Sequence, residues 1–216
     1  MIYTRTKQLD VNKQTKTSEQ GFRFAIQAIS FCLILCISLT PLHAIANNPN
    51  DIQGRISTGL KLFRSILLAD RDIASKVGEK QQINIVFLYR SDMESAERYA
   101  RNFVRLGRQG NRGKIKDYYV KINILKELST VAKLNLEPAG IFILEDISPE
   151  QLQNVADYGK RNSIVTFSPH EGHIQHGILG SIDVGTSIRP MINTTTLTSS
   201  NLRIKSFFLK VATTYE

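Results

Sequence analysis

The sequence predicts an α/β fold: a single three-layer domain, built on a mainly parallel sheet with an antiparallel edge hairpin. Three observations predict it. From residue 50 onward, short runs rich in β-branched and aromatic residues alternate with segments of helical period. The runs are apolar almost throughout, as strands buried on both faces are, and do not alternate like half-exposed ones. The last two runs are joined by little more than Gly185-Thr186, a connection that fits a hairpin and is too short for a crossover.

Each element has its own signal. Ile52, Ile56, Leu60, Phe63 and Leu67 recur at spacings of three and four, placing them on one face of a helix that ends near Asp70. Residues 82–89 form the first strand, through Ile83-Asn84-Ile85-Val86-Phe87-Leu88. Ser91 with Glu94 three places later reads as a capping box, opening a helix whose Ala96, Tyr99, Ala100, Phe103 and Leu106 share a face. A strand at 116–122 and a helix at 125–136 follow, with Pro138 and Gly140 ending that helix before a third strand at 141–144. Ser148-Pro149-Glu150-Gln151 combines a capping serine, a proline suited to the first turn and a glutamine that reaches back, and starts a helix running to Lys160. Residues 163–167 form a fourth strand, 178–184 and 187–193 pair as the hairpin, and 202–212 close the chain as a helix. Thr194-Thr195-Thr196, with Ser199 and Ser200, reads as a polar connection.

Ahead of this domain, residues 1–46 read as a secretory signal. Arg23 precedes an apolar run at 24–42, and Ala44 and Ala46 supply the small residues of a cleavage site. Gln27, Ser30, Ser38 and Pro41 interrupt the run, which disfavours a permanent membrane anchor. The mature chain, residues 47–216, then contains no cysteine, because Cys32 and Cys36 both lie in the leader. It is bound for a compartment where disulfides persist, yet it must be stable through its core alone. Loss of the leader removes five basic and two acidic residues and lowers the formal net charge from +9 to +6. That charge suits acidic partners or an anionic membrane surface, and export makes nucleic acid an improbable partner.

Two clusters are candidates for chemistry. His170-Glu171-Gly172-His173-Ile174-Gln175-His176 holds every histidine of the mature chain, and imidazole is the commonest neutral metal ligand. His170, His173 and His176 are accordingly the candidate metal ligands. The spacing is not that of the zinc-protease helix, and Gly172 favours a turn, so the simpler reading is an exposed polar loop following a strand. Its place at the carboxyl end of a parallel strand still makes it the best candidate site. The second cluster is Arg105, Arg108, Arg112 and Lys114, with Lys116, among Gly107, Gly110 and Gly113. It follows a helix and leads into a strand, the reverse of a phosphate loop, which leaves contact with lipid headgroups or an acidic partner as its functional reading. No nucleophile system is visible: Ser163 and Ser168 lie near the histidines without a recognisable third member. Asn193-Thr194-Thr195 matches a glycosylation acceptor, a match that arises cheaply.

Several segments together resemble the YfiR-like family of exported periplasmic proteins. The first helix closes on an aspartate-arginine pair, in Leu62-Phe63-Arg64-Ser65-Ile66-Leu67-Leu68-Ala69-Asp70-Arg71. Ile164-Val165-Thr166-Phe167-Ser168 is followed by a glycine-containing loop and Gly177. Met191-Ile192-Asn193 precedes a spacer and then Leu202-Arg203-Ile204-Lys205-Ser206-Phe207-Phe208-Leu209-Lys210-Val211-Ala212. The resemblance implies a cofactor-free regulator with no catalytic residues, which binds the periplasmic domain of an inner-membrane sensor or diguanylate cyclase and restrains it. A homodimer and peripheral membrane contact are compatible with that role. The absence of mature cysteines departs from the best understood members and speaks against redox sensing. The alternative from the residues themselves is a periplasmic solute-binding module with a crevice at its strand ends.

Overall fold

The computed structural model describes residues 49–107, 110–185 and 187–216. The leader at 1–46, with both cysteines, lies outside the described residues, as does Arg108. No helix among the described residues is long and apolar enough to cross a membrane.

One sheet of eight strands forms the middle layer. In chain order these are β1 (Gln82–Leu88), β2 (Lys114–Ile115), β3 (Tyr118–Leu125), β4 (Pro138–Ile143), β5 (Val165–Phe167), β6 (Gly180–Val184), β7 (Ile188–Asn193) and β8 (Thr213–Tyr215). Their spatial order is β2-β3-β1-β4-β5-β6-β7-β8. Strands β3, β1, β4, β5 and β6 are parallel, β7 returns antiparallel to β6 as the expected hairpin, and β8 extends that edge parallel to β7. The short β2 is antiparallel to β3 at the opposite edge.

Helices cover both faces because the central strands are apolar on both. Ile83, Ile85 and Phe87 of β1 point to one face, where α1 (Pro49–Ala69), α2 (Met93–Arg105) and α6 (Ser206–Val211) pack; Val86 and Leu88 point to the other, under α3 (Ser129–Lys133) and α4 (Pro149–Arg161). The first face is organised around Phe63 of α1, whose ring lies 5.4 to 5.9 Å from those of Phe103, Phe142 and Phe167. The start of α4 is as the sequence predicts, with Ser148 and Gln151 bonding reciprocally as a capping box.

Elsewhere the structure corrects the sequence reading. Ser91 does not cap α2; Asp92 does, its carboxylate accepting from the Ser95 amide at 2.9 Å, while the Ser91 hydroxyl donates to Glu145 in the loop after β4. The strand expected at 116–122 runs on to Leu125, whose side chain is buried against the second face, so the following helix shrinks to the single turn of α3. Pro138 and Gly140 lie inside β4: proline is tolerated at a first strand residue, and Gly140 leaves room for Phe63, which a Cβ there would approach to 2.7 Å. The threonine run is not a connection but helix α5 (Thr194–Ser199), nucleated by Asn193, whose side-chain oxygen accepts from the Thr196 amide at 2.8 Å. Asn193 is itself buried and donates to the Ile174 carbonyl at 3.0 Å, so it is not presented for glycosylation. The closing helix is confined to α6, and the chain then turns into β8.

Candidate functional site

The chain leaves β1 through α2 toward the β3 side and leaves β4 through α4 toward the β5 side. These two helices lie on opposite faces, so the connections part between the carboxyl ends of β1 and β4. Open α/β sheets form their ligand crevice at such a switch point. Three loops meet there: 89–92 after β1, 144–148 after β4 and 168–177 after β5.

Glu145, just beyond β4, turns its carboxylate into the β1 loop. It accepts from the amides of Arg90 (3.1 Å), Ser91 (3.0 Å) and Asp92 (3.0 Å), and from the Ser91 hydroxyl at 2.6 Å. Successive backbone N–H groups ahead of a helix form an anion nest. In this protein an internal carboxylate fills it. Burial pushes the Glu145 carboxyl upward, but the Ser91 hydroxyl and the amides of Asp92, Ser91 and Arg90 outweigh that and hold it at about 2. A carboxyl depressed in the folded state stabilises the fold fully above its unfolded value, near 4.5, and loses that contribution as pH falls through about 2. Glu145→Gln places an amide NH2 against N–H donors and is expected to cost about 1.5–3 kcal/mol at neutral pH. Urea titrations from pH 6 to 2 check this, because the gap between variant and parent should narrow below pH 4.5.

Beside this lies a second network. His173 is almost fully buried, its Nε2 2.7 Å from Asp146 Oδ1 and its Nδ1 2.8 Å from Ser168 Oγ. A carboxylate only accepts, so Nε2 carries the proton and Nδ1 accepts from the Ser168 hydroxyl. Burial holds His173 below the ordinary imidazole value against the opposing pull of Asp146, and the hydrogen bond from His173 holds Asp146 below the ordinary carboxylate range. Serine, histidine and aspartate are thus in line, with Asp146 the third member that the sequence did not reveal. Ser168 is fully buried, however, and its Oγ also accepts from the His170 amide at 3.2 Å. A serine without exposed surface cannot meet a substrate, so this relay ties the β5 loop to the β4 loop.

The three histidines are not arranged as one ligand set, although the ring centres of His170 and His173 lie 5.2 Å apart. Both ring nitrogens of His173 are engaged, His170 Nε2 bonds the Leu144 carbonyl at 3.0 Å, and His176 lies half-buried at the end of the short helical turn His173–His176. Among the described residues, no group of three or more His, Cys, Asp or Glu side chains is placed to hold a metal ion. The reason is local: Gly172 adopts a left-handed conformation with φ of 79°, turning His173 into the core while His170 faces the β4 end.

Between α1, α2 and the three loops lies a cleft of about 370 Å³. Ile52 and Ile56 from α1, Ala96 and Tyr99 from α2 and Leu144 give it apolar walls, with Arg90, Asp92, Glu145, Asp146 and His170 around its polar end. A second cleft of about 400 Å³ opens at the amino ends of β4 and β5, near Pro138 and Ile164, away from the switch point.

The basic cluster lies elsewhere, in the loop from α2 to β2. Arg105 and Arg112 are exposed, whereas Lys114 is half-buried with its ammonium 4.6 Å from the centre of the Tyr119 ring. Beneath this loop the buried Arg64 donates through Nη2 to the carbonyls of Asn111 and Lys114. Lys116 is turned away to donate to the Asp70 carbonyl at 2.8 Å.

No family model matches this sequence, and no curated protein matches it. Among solved structures, the chain is similar to the ABC domain of Streptococcus pneumoniae crystallised in complex with L-Trp, with a TM-score of 0.45 and 12% identity over 69% of this chain and 61% of that one. It is also similar to a conserved domain protein of Vibrio cholerae, with a TM-score of 0.42 and 10% identity over 67% of this chain and 58% of that one. This chain therefore spans about six tenths of the length of those structures.

Proposed function

We propose that this protein is an exported, non-enzymatic regulator that binds the periplasmic domain of an inner-membrane signalling protein, a diguanylate cyclase, and restrains it. The observation that carries the reading is an apolar surface on the antiparallel edge of the sheet. Phe207 and Val211, one turn apart on α6, are 60% and 59% exposed, and Val184 and Ile188, paired across the hairpin, are each 56% exposed. Helix α6 packs beside β7, the strand that carries Ile188. Large apolar side chains left in water on neighbouring elements suit a docking surface. The YfiR-like segments named above supply the partner class, and the closed Ser168 relay argues against catalysis. No cofactor enters this role.

Phe207→Asp and Ile188→Asp are expected to weaken binding to the purified periplasmic domain of the cyclase by roughly 30-fold each, as loss of an interface anchor does, without moving the thermal midpoint. Membranes from cells that express the tagged protein supply the partner, identified by mass spectrometry. Recovery of a permease with no cyclase would favour the second reading, a solute-binding module. The cleft at the switch point is the observation on its side.

A further inference from the structure

We propose that the cleft between β1 and β4 binds a small organic cation, an amine carrying a compact apolar body. The inference rests on the cleft alone and not on the regulator reading. It follows from what the polar end of the cleft offers.

His170 Nε2 lies 3.0 Å from the Leu144 carbonyl oxygen. A carbonyl can only accept, so Nε2 carries the proton and Nδ1 is left as a lone pair. Asp92 commits one oxygen to the Ser95 amide and Asp146 commits one to His173. Asp92 also bonds the Ser95 side chain, whereas the second oxygen of Asp146, whose side chain is 77% exposed, accepts no hydrogen bond from the described residues. The uncommitted acceptors at this end are His170 Nδ1 and the free oxygen of Asp146, with the guanidinium of Arg90 as the charged donor beside them. Three carboxylates, those of Asp92, Glu145 and Asp146, line the cleft against the single guanidinium of Arg90, although the chain as a whole is basic. The neighbouring cations are turned to protein acceptors: Arg55 donates to the Pro169 carbonyl at 2.9 and 3.1 Å, and Arg98 to the Ser95 hydroxyl at 2.7 Å.

An anion is poorly suited to this place. The backbone nest that would receive it is filled by Glu145, whose carboxylate accepts from all three amides and from the Ser91 hydroxyl. An ammonium group instead supplies the protons that His170 Nδ1 and the free Asp146 oxygen lack, forming charge-assisted hydrogen bonds. Its body would lie against Ile56 and Tyr99, which bury apolar surface without a further polar demand. A volume of about 370 Å³ is at the small end of ligand pockets and suits a compact ligand.

Isothermal titration of the purified protein with 2-phenylethylamine, 3-phenylpropionate and phenylalanine tests the charge preference, since the three share an aromatic body. The amine is expected to bind at least about tenfold more tightly than the carboxylate, the worth of one charge-assisted bond, with the zwitterion between them. Ile52 stands at the mouth, 43% exposed, where substitution leaves the core intact. Ile52→Lys should weaken the amine and Ile52→Glu strengthen it, each about threefold, with the midpoint of unfolding unchanged. Asp146→Asn should weaken the amine by roughly tenfold. Carboxylate binding equal to or tighter than amine binding, or no heat from any of the three, would overturn the proposal. Because no membrane partner takes part, either outcome leaves the cyclase-binding experiment to be decided separately.

Discussion

Replacing Phe63 with alanine is expected to destabilise the domain by about 3–5 kcal/mol, a large share of what holds a domain of this size folded. Phe63, Phe87, Phe103, Phe142 and Phe167 are all fully buried, and they are linked by ring-to-ring distances of 5.4 to 5.9 Å. Phe63 touches three of the other four, and it alone among them comes from α1. Its loss leaves a cavity that rigid strands cannot collapse into, so both the transfer term and the cavity term are felt. Equilibrium urea unfolding measures the effect, with near-parental slope and a lowered midpoint. Phe63→Leu keeps most of the volume and is expected to cost about 1–2 kcal/mol. Gly140→Ala supplies a coupled check, because its Cβ would lie 2.7 Å from the Phe63 ring. Alone it overpacks the core at a cost of about 1–3 kcal/mol; combined with Phe63→Ala it should cost less than that, the remaining close approach being to Leu67 Cδ2 at 3.0 Å. A Phe63→Ala variant within 1 kcal/mol of the parent would mean that α1 can settle onto the sheet without its anchor.

Much of this architecture was legible because its signals are local. The period of α1, the Ser148 capping box and the Gly185-Thr186 hairpin each declare themselves within a few residues, and the sheet follows from their alternation. What escaped was long-range. Ser91 and Glu94 satisfy the capping-box pattern, but Glu145, in the loop after β4 and more than fifty residues away, accepts from the serine hydroxyl and leaves the cap to Asp92. Ser168 and His173 lack a third member in the sequence because Asp146 arrives from the loop after β4, which only the order β4-β5 makes adjacent. A usable signal was present in Glu145-Asp146, two acids directly after a wholly apolar strand, at the end of the sheet where such folds place their sites. The threonine run misled for a different reason. β-branched polar residues have low helix propensity, and α5 forms because Asn193 caps it and Thr196 is buried. Gly172 pointed correctly to a turn, yet nothing in the spacing of the histidines told which ring the turn would bury.

Removing the Lys76 ammonium is expected to be nearly as costly as losing a core ring, because it strands a charge. Asp70, at the carboxyl end of α1, has no exposed surface, and its carboxylate has two partners, the Asp72 amide and Lys76 Nζ, each at 2.8 Å. The junction around it is also held by backbone bonds: Arg71 donates to Arg203 and Lys205 to Ala69, at 2.9 and 3.0 Å, which tie α1 to the segment before α6. Lys76→Met leaves the carboxylate buried with one amide, and breaking a buried pair from one side typically costs 3–5 kcal/mol; the 12% exposure of Lys76 admits some water and places the expectation at about 3 kcal/mol. Most of that cost is the penalty of the orphaned charge and not the worth of the pair. The double variant Asp70→Asn with Lys76→Met should therefore recover at least half of it, since a neutral amide still accepts from Asp72. The outer pair of Asp72 with Arg203 is exposed to solvent, and Arg203→Ala should change stability little. Urea midpoints of the three variants decide between these accounts. A double variant no more stable than Lys76→Met alone would show that the lysine contributes through its packing, and that Asp70 is held by its backbone surroundings in place of its charge partner.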